Sequence, residues 1–159
     1  MTEIVIRDEY GEELRRYTVP PDSIGLVRAN LEGADLCGAQ LPEADLNGAD
    51  LYWAMLIGAN LERANLQWAS LRGANLRNAN LQEANLENAR LGLDNLGGPT
   101  SLQGANLRAA NLRGCDLAGA TYDKTTVFPA DFDPQKAGMS CTPTDAERAE
   151  RRETKRTQR

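Results

Sequence analysis

Leucine recurs at every fifth position along most of the chain, with alanine two residues before it. The leucines run without a break from Leu26 to Leu96, resume at Leu102 and continue to Leu117, and Tyr122 takes the last place. On an α-helix five residues advance about 500°, so successive leucines would drift by roughly 140° and form no stripe. On a straight strand an odd spacing sends them to alternate faces. The pattern therefore predicts a backbone that turns once in every five residues.

If each repeat forms one side of a square, four repeats make one coil, and the coils stack about 4.8 Å apart. Leucine and alanine then fill a narrow interior shaft. The Asn or Asp between them points outward and can bond the backbone of the turn. Glycine is frequent two residues after the leucine, where a type II turn requires a positive φ, and we expect type I turns at Glu43, Arg63 and Glu83 instead.

The repeat A-(D/N)-L-x-x, which covers residues 24–122, resembles the pentapeptide-repeat family. The resemblance implies an all-β fold, a right-handed quadrilateral β-helix of about five coils. The segment ATYDKTTVFPADFDPQKAGM, residues 120–139, also resembles the C-terminal end of cyanobacterial members.

Stacked coils expose backbone donors and apolar core at both ends, so both ends need caps. Residues 1–23 are predicted to form an N-terminal cap, in which EIVIRD and ELRRYTV pair as strands or a hairpin. A register slip of one residue near 97–101 predicts a bulge or a small outward loop. Residues 123–143 are predicted to close the other end with apolar side chains, and residues 144–159 form a charged tail where Thr144 or Asp145 could begin a helix.

The composition removes several classes of function. The chain has 159 residues with 18 Lys+Arg, 23 Asp+Glu and no histidine, hence a net charge of −5, which argues against general nucleic-acid binding. Three widely spaced cysteines without histidine argue against a zinc site, and no nucleophile is paired with a base. We therefore expect no enzyme, no cofactor and no metal. The charged N-terminus has no long apolar run, which favours a cytoplasmic protein over a secreted or membrane protein.

The best candidate site is a set of large outward side chains where other coils carry polar residues. These partner-binding candidates are Tyr52, Trp53, Met55, Ile57 and, one coil further along, Trp68. Stacking by twenty residues would place Trp53 between Gly33 and Gly73, so the rings could merely cover bare backbone. Exposed aromatic side chains also mark protein-binding surfaces. The predicted function is therefore a non-catalytic protein-interaction scaffold that displays side chains on a rigid β-helix.

The alternative function comes from the family resemblance. Some family members associated with quinolone or toxin resistance resemble a rod of B-DNA and bind DNA gyrase. The corresponding acidic patch here would comprise Glu32, Asp35, Glu43, Asp45 and Asp50. Residues 24–122 carry ten acids and seven arginines, a net charge of −3, whereas about 24 Å of B-DNA carries about fourteen charges. This charge is low for a DNA mimic.

Overall fold

Two antiparallel strands precede the repeats. The computed structural model describes residues 2–7, 12–19, 25–144 and 146–147. Strand β1 (Thr2–Arg7) pairs with β2 (Glu13–Val19), with Thr2 opposite Val19 and a register irregularity between Ile6 and Arg7. This is the segment for which the sequence predicts paired strands.

The repeats stack as parallel coils with a period of twenty residues. Asn30 bridges Asp50, which bridges Ser70, and Ser70 bridges Arg90, all in parallel. With one turn in every five residues, a period of twenty gives each coil four sides. We call one of them the Trp53 side; it contains the turns 31–34, 51–54, 71–74 and 117–120. The number of coils and the closure of the two ends stay predictions.

The predicted leucine and alanine shaft is confirmed. The leucines from Leu26 to Leu91 are buried, as are Leu102, Leu107 and Leu117, and most of the alanines between them are fully buried. Leu112 and Cys115 are partly buried and pack against this core. Because each side supplies one large and one small side chain, the interior is filled without aromatic rings.

The repeat turns from residue 26 to 89 and from 102 to 120 all place their third residue in the left-handed region, including the three for which we expected type I turns. Glu43, Arg63 and Glu83 have φ values of 57°, 56° and 57°, whereas the third residue of a type I turn has φ near −90°. That expectation is wrong. The Glu43 N–H donates to the carbonyl of Glu62 in the next coil (2.7 Å), so the turns must repeat the same geometry for the coils to stack.

The outward Asn and Asp side chains bond the turn backbone, as the sequence predicts. In each case Oδ1 accepts a hydrogen bond from the N–H two residues later, as Asp50 does from Tyr52 at 3.1 Å. Amide side chains also bond between coils, for example Asn80 to Asn60 at 3.3 Å and Asn111 to Asn85 at 3.0 Å. These bonds satisfy polar groups along the corners of the rod.

The register slip corresponds to a longer outward loop than the leucine spacing suggests. Arg90 bridges Asp116 and Asn75 bridges Ser101, so the stacking period is twenty-six residues for the bridges that span the loop, and it returns to twenty between Ser101 and Thr121. Leu96 is 82% exposed and does not continue the inward series, contrary to our expectation. The reason is that Asp94 stands two residues before it, where the shaft requires a small apolar side chain. The slip of one residue is therefore an insertion of six residues.

The C-terminal segment packs against the last repeats. Strand β3 (Thr121–Tyr122) pairs in parallel with β4 (Ser140–Cys141). The rings of Tyr122, Phe128 and Phe132 contact one another and the buried core. In the tail, Thr144 and Glu147 form a reciprocal capping box, and residues 148–159 lie outside the described residues. Within the described part of the chain, no helix is long and apolar enough to cross a membrane.

Candidate protein-interaction surface

Trp53 occupies a strained position and leans toward the following coil. It is the third residue of the turn that begins at Leu51, and its φ of 58° is rare for a bulky side chain. A β-carbon at Gly73 would lie only 2.3 Å from Cδ1 of Trp53, whereas one at Gly33 would have no atom within 4 Å. The indole therefore covers Gly73 and leaves Gly33 bare, which corrects half of the expected arrangement.

One carboxylate of the inserted loop fixes this indole. Trp53 Nε1 donates to Asp94 Oδ2 at 2.6 Å, while Asp94 Oδ1 accepts from the N–H groups of Leu96 and Gly98, both at 2.7 Å. The hydrogen bond from Gly98, helped by those from Trp53 and Leu96, lowers the pKa of Asp94 despite its burial. The same carboxylate therefore fixes both the loop backbone and the orientation of the indole.

Thr100 connects the end of the inserted loop by hydrogen bonds to the turn 71–74, which the indole covers. It stands two residues before Leu102, in the place of the usual alanine, and is fully buried. Its hydroxyl donates to the carbonyl of Leu71 at 2.9 Å and accepts from the N–H of Gly73 at 3.1 Å. A polar residue is therefore tolerated in the shaft because both hydrogen-bonding capacities of its hydroxyl are used.

Large side chains remain exposed on the turn 51–54, which carries the indole, and on the inserted loop that the indole contacts. Trp53 is 50% exposed, and the ring of Tyr52 lies parallel to it with 5.9 Å between centroids. The loop adds Leu96 and Leu93, which is 45% exposed and lies across Gly119. We call the group Tyr52, Trp53, Leu93 and Leu96 the Trp53 surface.

The remaining sequence candidates lie on other parts of the rod. Met55 is 43% exposed at a corner, bridged to Asp35 and Asn75, and Ile57 is half-buried on the side that follows. Trp68 is 64% exposed on the side that precedes the Trp53 side and also has a positive φ, 61°. The ring contact brings together only Tyr52 and Trp53, and the binding role of the whole set stays a prediction.

The five acidic candidates are divided between opposite parts of the rod. Glu32 lies on the Trp53 side, and Asp35 and Asp50 occupy its two corners, as their bridges to Met55 and Asn30 place them. Glu43 belongs to the side across the shaft, and Asp45 occupies a corner of that side, where it accepts from Asn47 N and Asn65 Nδ2. They therefore do not form a single acidic patch.

Four residues of the site escaped the sequence analysis: Asp94 and Thr100, which hold it, and Leu93 and Leu96, which enlarge it. The sequence did contain a signal for Asp94 and Thr100, in the positions two residues before each leucine that alanine usually occupies. Asp94 occupies the position where Leu96 would need an alanine, and Thr100 supplies a small residue before Leu102. The mismatch at residue 94 therefore marks an insertion better than the leucine spacing does.

Protonation of Asp94 should release the indole. Because the folded-state pKa is lowered, the contribution of this carboxylate is fully present above its unfolded pKa of about 3.9 and is lost as the pH falls through the folded pKa. In a Trp68→Phe protein Trp53 is the single tryptophan, and we expect its emission to change below about pH 4. Asp94→Asn in that background should remove this transition. A transition that is identical in both proteins would show that other carboxylates cause it.

The described residues contain no group of three or more metal-ligating side chains. Burial raises the pKa of the Cys115 thiol to about 12, and burial, together with Asp35, also raises that of Cys37. At neutral pH these thiols are protonated and therefore poor nucleophiles.

The repeat region matches a known protein family and several solved structures. The family described as pentapeptide repeats, in eight copies, matches residues 26–63, 59–92 and 100–121. A crystal structure of the pentapeptide-repeat protein alr5209 from Nostoc PCC 7120 is 39% identical, covering 72% of this chain and 86% of that one, with a TM-score of 0.48. HetL, a pentapeptide-repeat protein involved in heterocyst differentiation regulation in Nostoc sp. strain PCC 7120, is 41% identical with a TM-score of 0.59.

The match to HetL covers 61% of this chain but only 40% of HetL. Rfr23 from Cyanothece 51142 is 42% identical, covering 59% of this chain and 63% of that one, with a TM-score of 0.37. No curated protein matches the chain. The family match and the likeness to HetL assign the coils to a right-handed β-helix, and the relatives include cyanobacterial proteins, in agreement with the resemblance in the sequence.

Proposed function

Because the chain belongs to the pentapeptide-repeat family, we propose that it is a non-catalytic protein-interaction scaffold whose partner binds the Trp53 surface. The observation that carries the proposal is the hydrogen bond of 2.6 Å between Trp53 and Asp94. It holds a large ring half-exposed, on a backbone conformation that such a ring rarely adopts.

Rigid display explains how such a surface would bind. An exposed side chain that is already fixed loses little conformational entropy when a partner covers it. The Trp53 ring is fixed by Asp94, and the backbone at Leu96 is fixed by the other oxygen of the same carboxylate. Tryptophan and tyrosine are also the side chains that most often dominate binding energy at protein interfaces.

The proposal includes the finer features of the rod. We place the scaffold in the cytoplasm, where its three unpaired cysteines suit a reducing environment. A rod of about five coils, closed by residues 1–23 and 123–143, would protect the shaft from water at both ends.

A photoreactive residue at position 96 tests the proposal. The full chain is produced with p-benzoylphenylalanine in place of Leu96 in the cells that naturally make the protein. After irradiation it should cross-link to one protein partner. Adding excess unmodified chain should suppress this cross-link, while a Leu96→Ser competitor should be at least about tenfold weaker because it lacks the apolar contact. Leu96 is 82% exposed, so this substitution should leave the melting temperature unchanged.

Position 108 is the matched control, because Arg108 is exposed in a turn on another side of the rod. A photoreactive residue there should not cross-link the same protein. Equal cross-linking from positions 96 and 108, or equal competition by the Leu96→Ser chain, would contradict a partner site at the Trp53 surface.

The gyrase-binding alternative has its own test. The DNA mimic would depend on the acids of the first coil, and these do not form one patch, because Glu43 lies across the shaft from Glu32. Inhibition of gyrase supercoiling, or protection from a quinolone, by micromolar wild-type protein would favour the DNA mimic. No effect in either assay would leave the scaffold as the better proposal.

A further inference from the structure

We infer that the segment bound by the Trp53 surface is basic as well as apolar, carrying Lys or Arg beside an aliphatic or aromatic side chain. The inference rests on the proposed function and specifies the chemistry of the partner. It follows from the carboxylates at the N-terminal edge of the Trp53 surface.

Three carboxylates lie next to the turn that carries Tyr52 and Trp53, on its N-terminal side. Glu32 is exposed one coil below Tyr52 and at the same position in its turn, about 4.8 Å away along the rod. Asp35 is exposed at the following corner, beneath Met55. Asp50 occupies the preceding corner and accepts the N–H of Tyr52 at 3.1 Å. The turn that carries the two aromatic rings therefore has carboxylates in the coil below it and at its preceding corner.

Within the part of the chain that the structure describes, no ion pair neutralises these three carboxylates. Arg72 lies one coil above Tyr52 but pairs in the other direction, with Asp116 at 3.2 Å. Arg28 belongs to the preceding side, where its Cγ lies against Gly48. Asp94 is different, because its two oxygens accept three N–H groups and it serves as a structural clamp. The free negative charge thus lies only on the N-terminal side of the surface.

This combination selects a particular chemistry. A Lys or Arg side chain placed over the Tyr52 and Trp53 rings gains a cation–π contact and the field of Glu32, Asp35 and Asp50. A neighbouring apolar side chain would cover Leu93 and Leu96, which are exposed on the inserted loop. An acidic segment would meet like charges at the rings and be disfavoured.

Three synthetic peptides of equal length test the inference on the full chain. One alternates Lys and Leu, the second alternates Glu and Leu, and the third alternates Lys and Ser. Each is titrated into the Trp68→Phe protein while the emission of Trp53 is recorded. The Lys–Leu peptide should bind at least about tenfold more tightly than the other two, and its affinity should weaken as salt increases because Glu32 and Asp35 are exposed to solvent ions.

Variants locate the charge effect. Glu32→Gln with Asp35→Asn should weaken the Lys–Leu peptide by at least about fivefold, because the N-terminal edge of the surface loses two charges. The matched control, Glu43→Gln with Glu62→Gln, removes the same charge from the side across the shaft and should change the affinity little. Equal effects of the two double variants would overturn the inference, since only the net charge of the rod would then matter.

The remaining outcomes separate this inference from the proposed function. If the Glu–Leu peptide binds as tightly as the Lys–Leu peptide, the basic requirement is wrong while apolar docking stands. If the Lys–Ser peptide binds as tightly as the Lys–Leu peptide, the apolar requirement of the inference is wrong, and the cross-link at position 96 decides separately whether the scaffold proposal holds. If no peptide changes the emission of Trp53, the inference is overturned. The cross-linking experiment at position 96 still tests the scaffold proposal, because that experiment does not depend on the charge of the partner.

Discussion

Leu66→Asp should unfold the rod. Leu66 is fully buried near the middle of the stack, and its N–H donates to the carbonyl of Asn85 in the next coil. Truncating a buried leucine costs about 2–5 kcal/mol, and an unpaired buried carboxylate costs more. A small domain has only about 5–15 kcal/mol of stability. Because each coil contacts only its neighbours, a break in the middle also removes the template on which both halves stack.

Far-ultraviolet circular dichroism during heating measures this effect. Leu66→Asp should show no cooperative transition, and limited proteolysis should digest the repeats. The matched control is Gln40→Asp, which introduces the same charge at an exposed corner where other repeats carry Asn or Asp. That variant should melt within a few degrees of the wild type. A cooperative transition of similar midpoint in Leu66→Asp would contradict the buried shaft.

Thr100→Val should destabilise the chain more than Thr100→Ser. Valine preserves the shape but leaves the carbonyl of Leu71 and the N–H of Gly73 without their side-chain partner, at a cost of about 1–3 kcal/mol. Serine keeps the hydroxyl and loses only one methyl group, which costs about 1 kcal/mol. For a chain of this size each kcal/mol lowers the melting temperature by about 2–4 °C.

The order of the two midpoints is the decisive observation. If Thr100→Ser melts lower than Thr100→Val, Thr100 stabilises the shaft mainly by filling space, and its hydroxyl does not fasten the loop. A lower midpoint for valine should be accompanied by faster amide exchange at Gly73, whose N–H loses its acceptor. Such local opening would also loosen the backbone that supports the Trp53 ring.

The inserted loop connects stability to the proposed function. Asp94 holds the indole and two loop amides, and Thr100 attaches the loop to the turn beneath that indole. Substitutions at Asp94 or Thr100 should therefore weaken partner binding without removing any side chain that touches the partner. Leu96→Ser acts differently, because it removes contact area and leaves these hydrogen bonds in place. Comparing the two kinds of variant separates rigid display from simple apolar contact.

The period of five determined the architecture from the sequence alone. A large and a small apolar residue at fixed spacing can all point inward only if the chain turns at each repeat. For this reason the shaft, the four-sided stacking and the Asx hydrogen bonds were predictable from residues such as Leu66, Ala64 and Asn65. The repetition of the pattern also indicated the family.

Only the tertiary structure decided how the inserted loop and the outer side chains are arranged. The leucine spacing placed Leu96 in the shaft, whereas contacts between residues 41 positions apart, Trp53 and Asp94, fix the loop outside it. Likewise, the left-handed turns at Glu43, Arg63 and Glu83 follow from hydrogen bonds to the next coil and oppose the local preference of those residues. A repeat encodes what every coil shares, while the Trp53 surface arises where one coil departs from its neighbours, and that depends on the stacking itself.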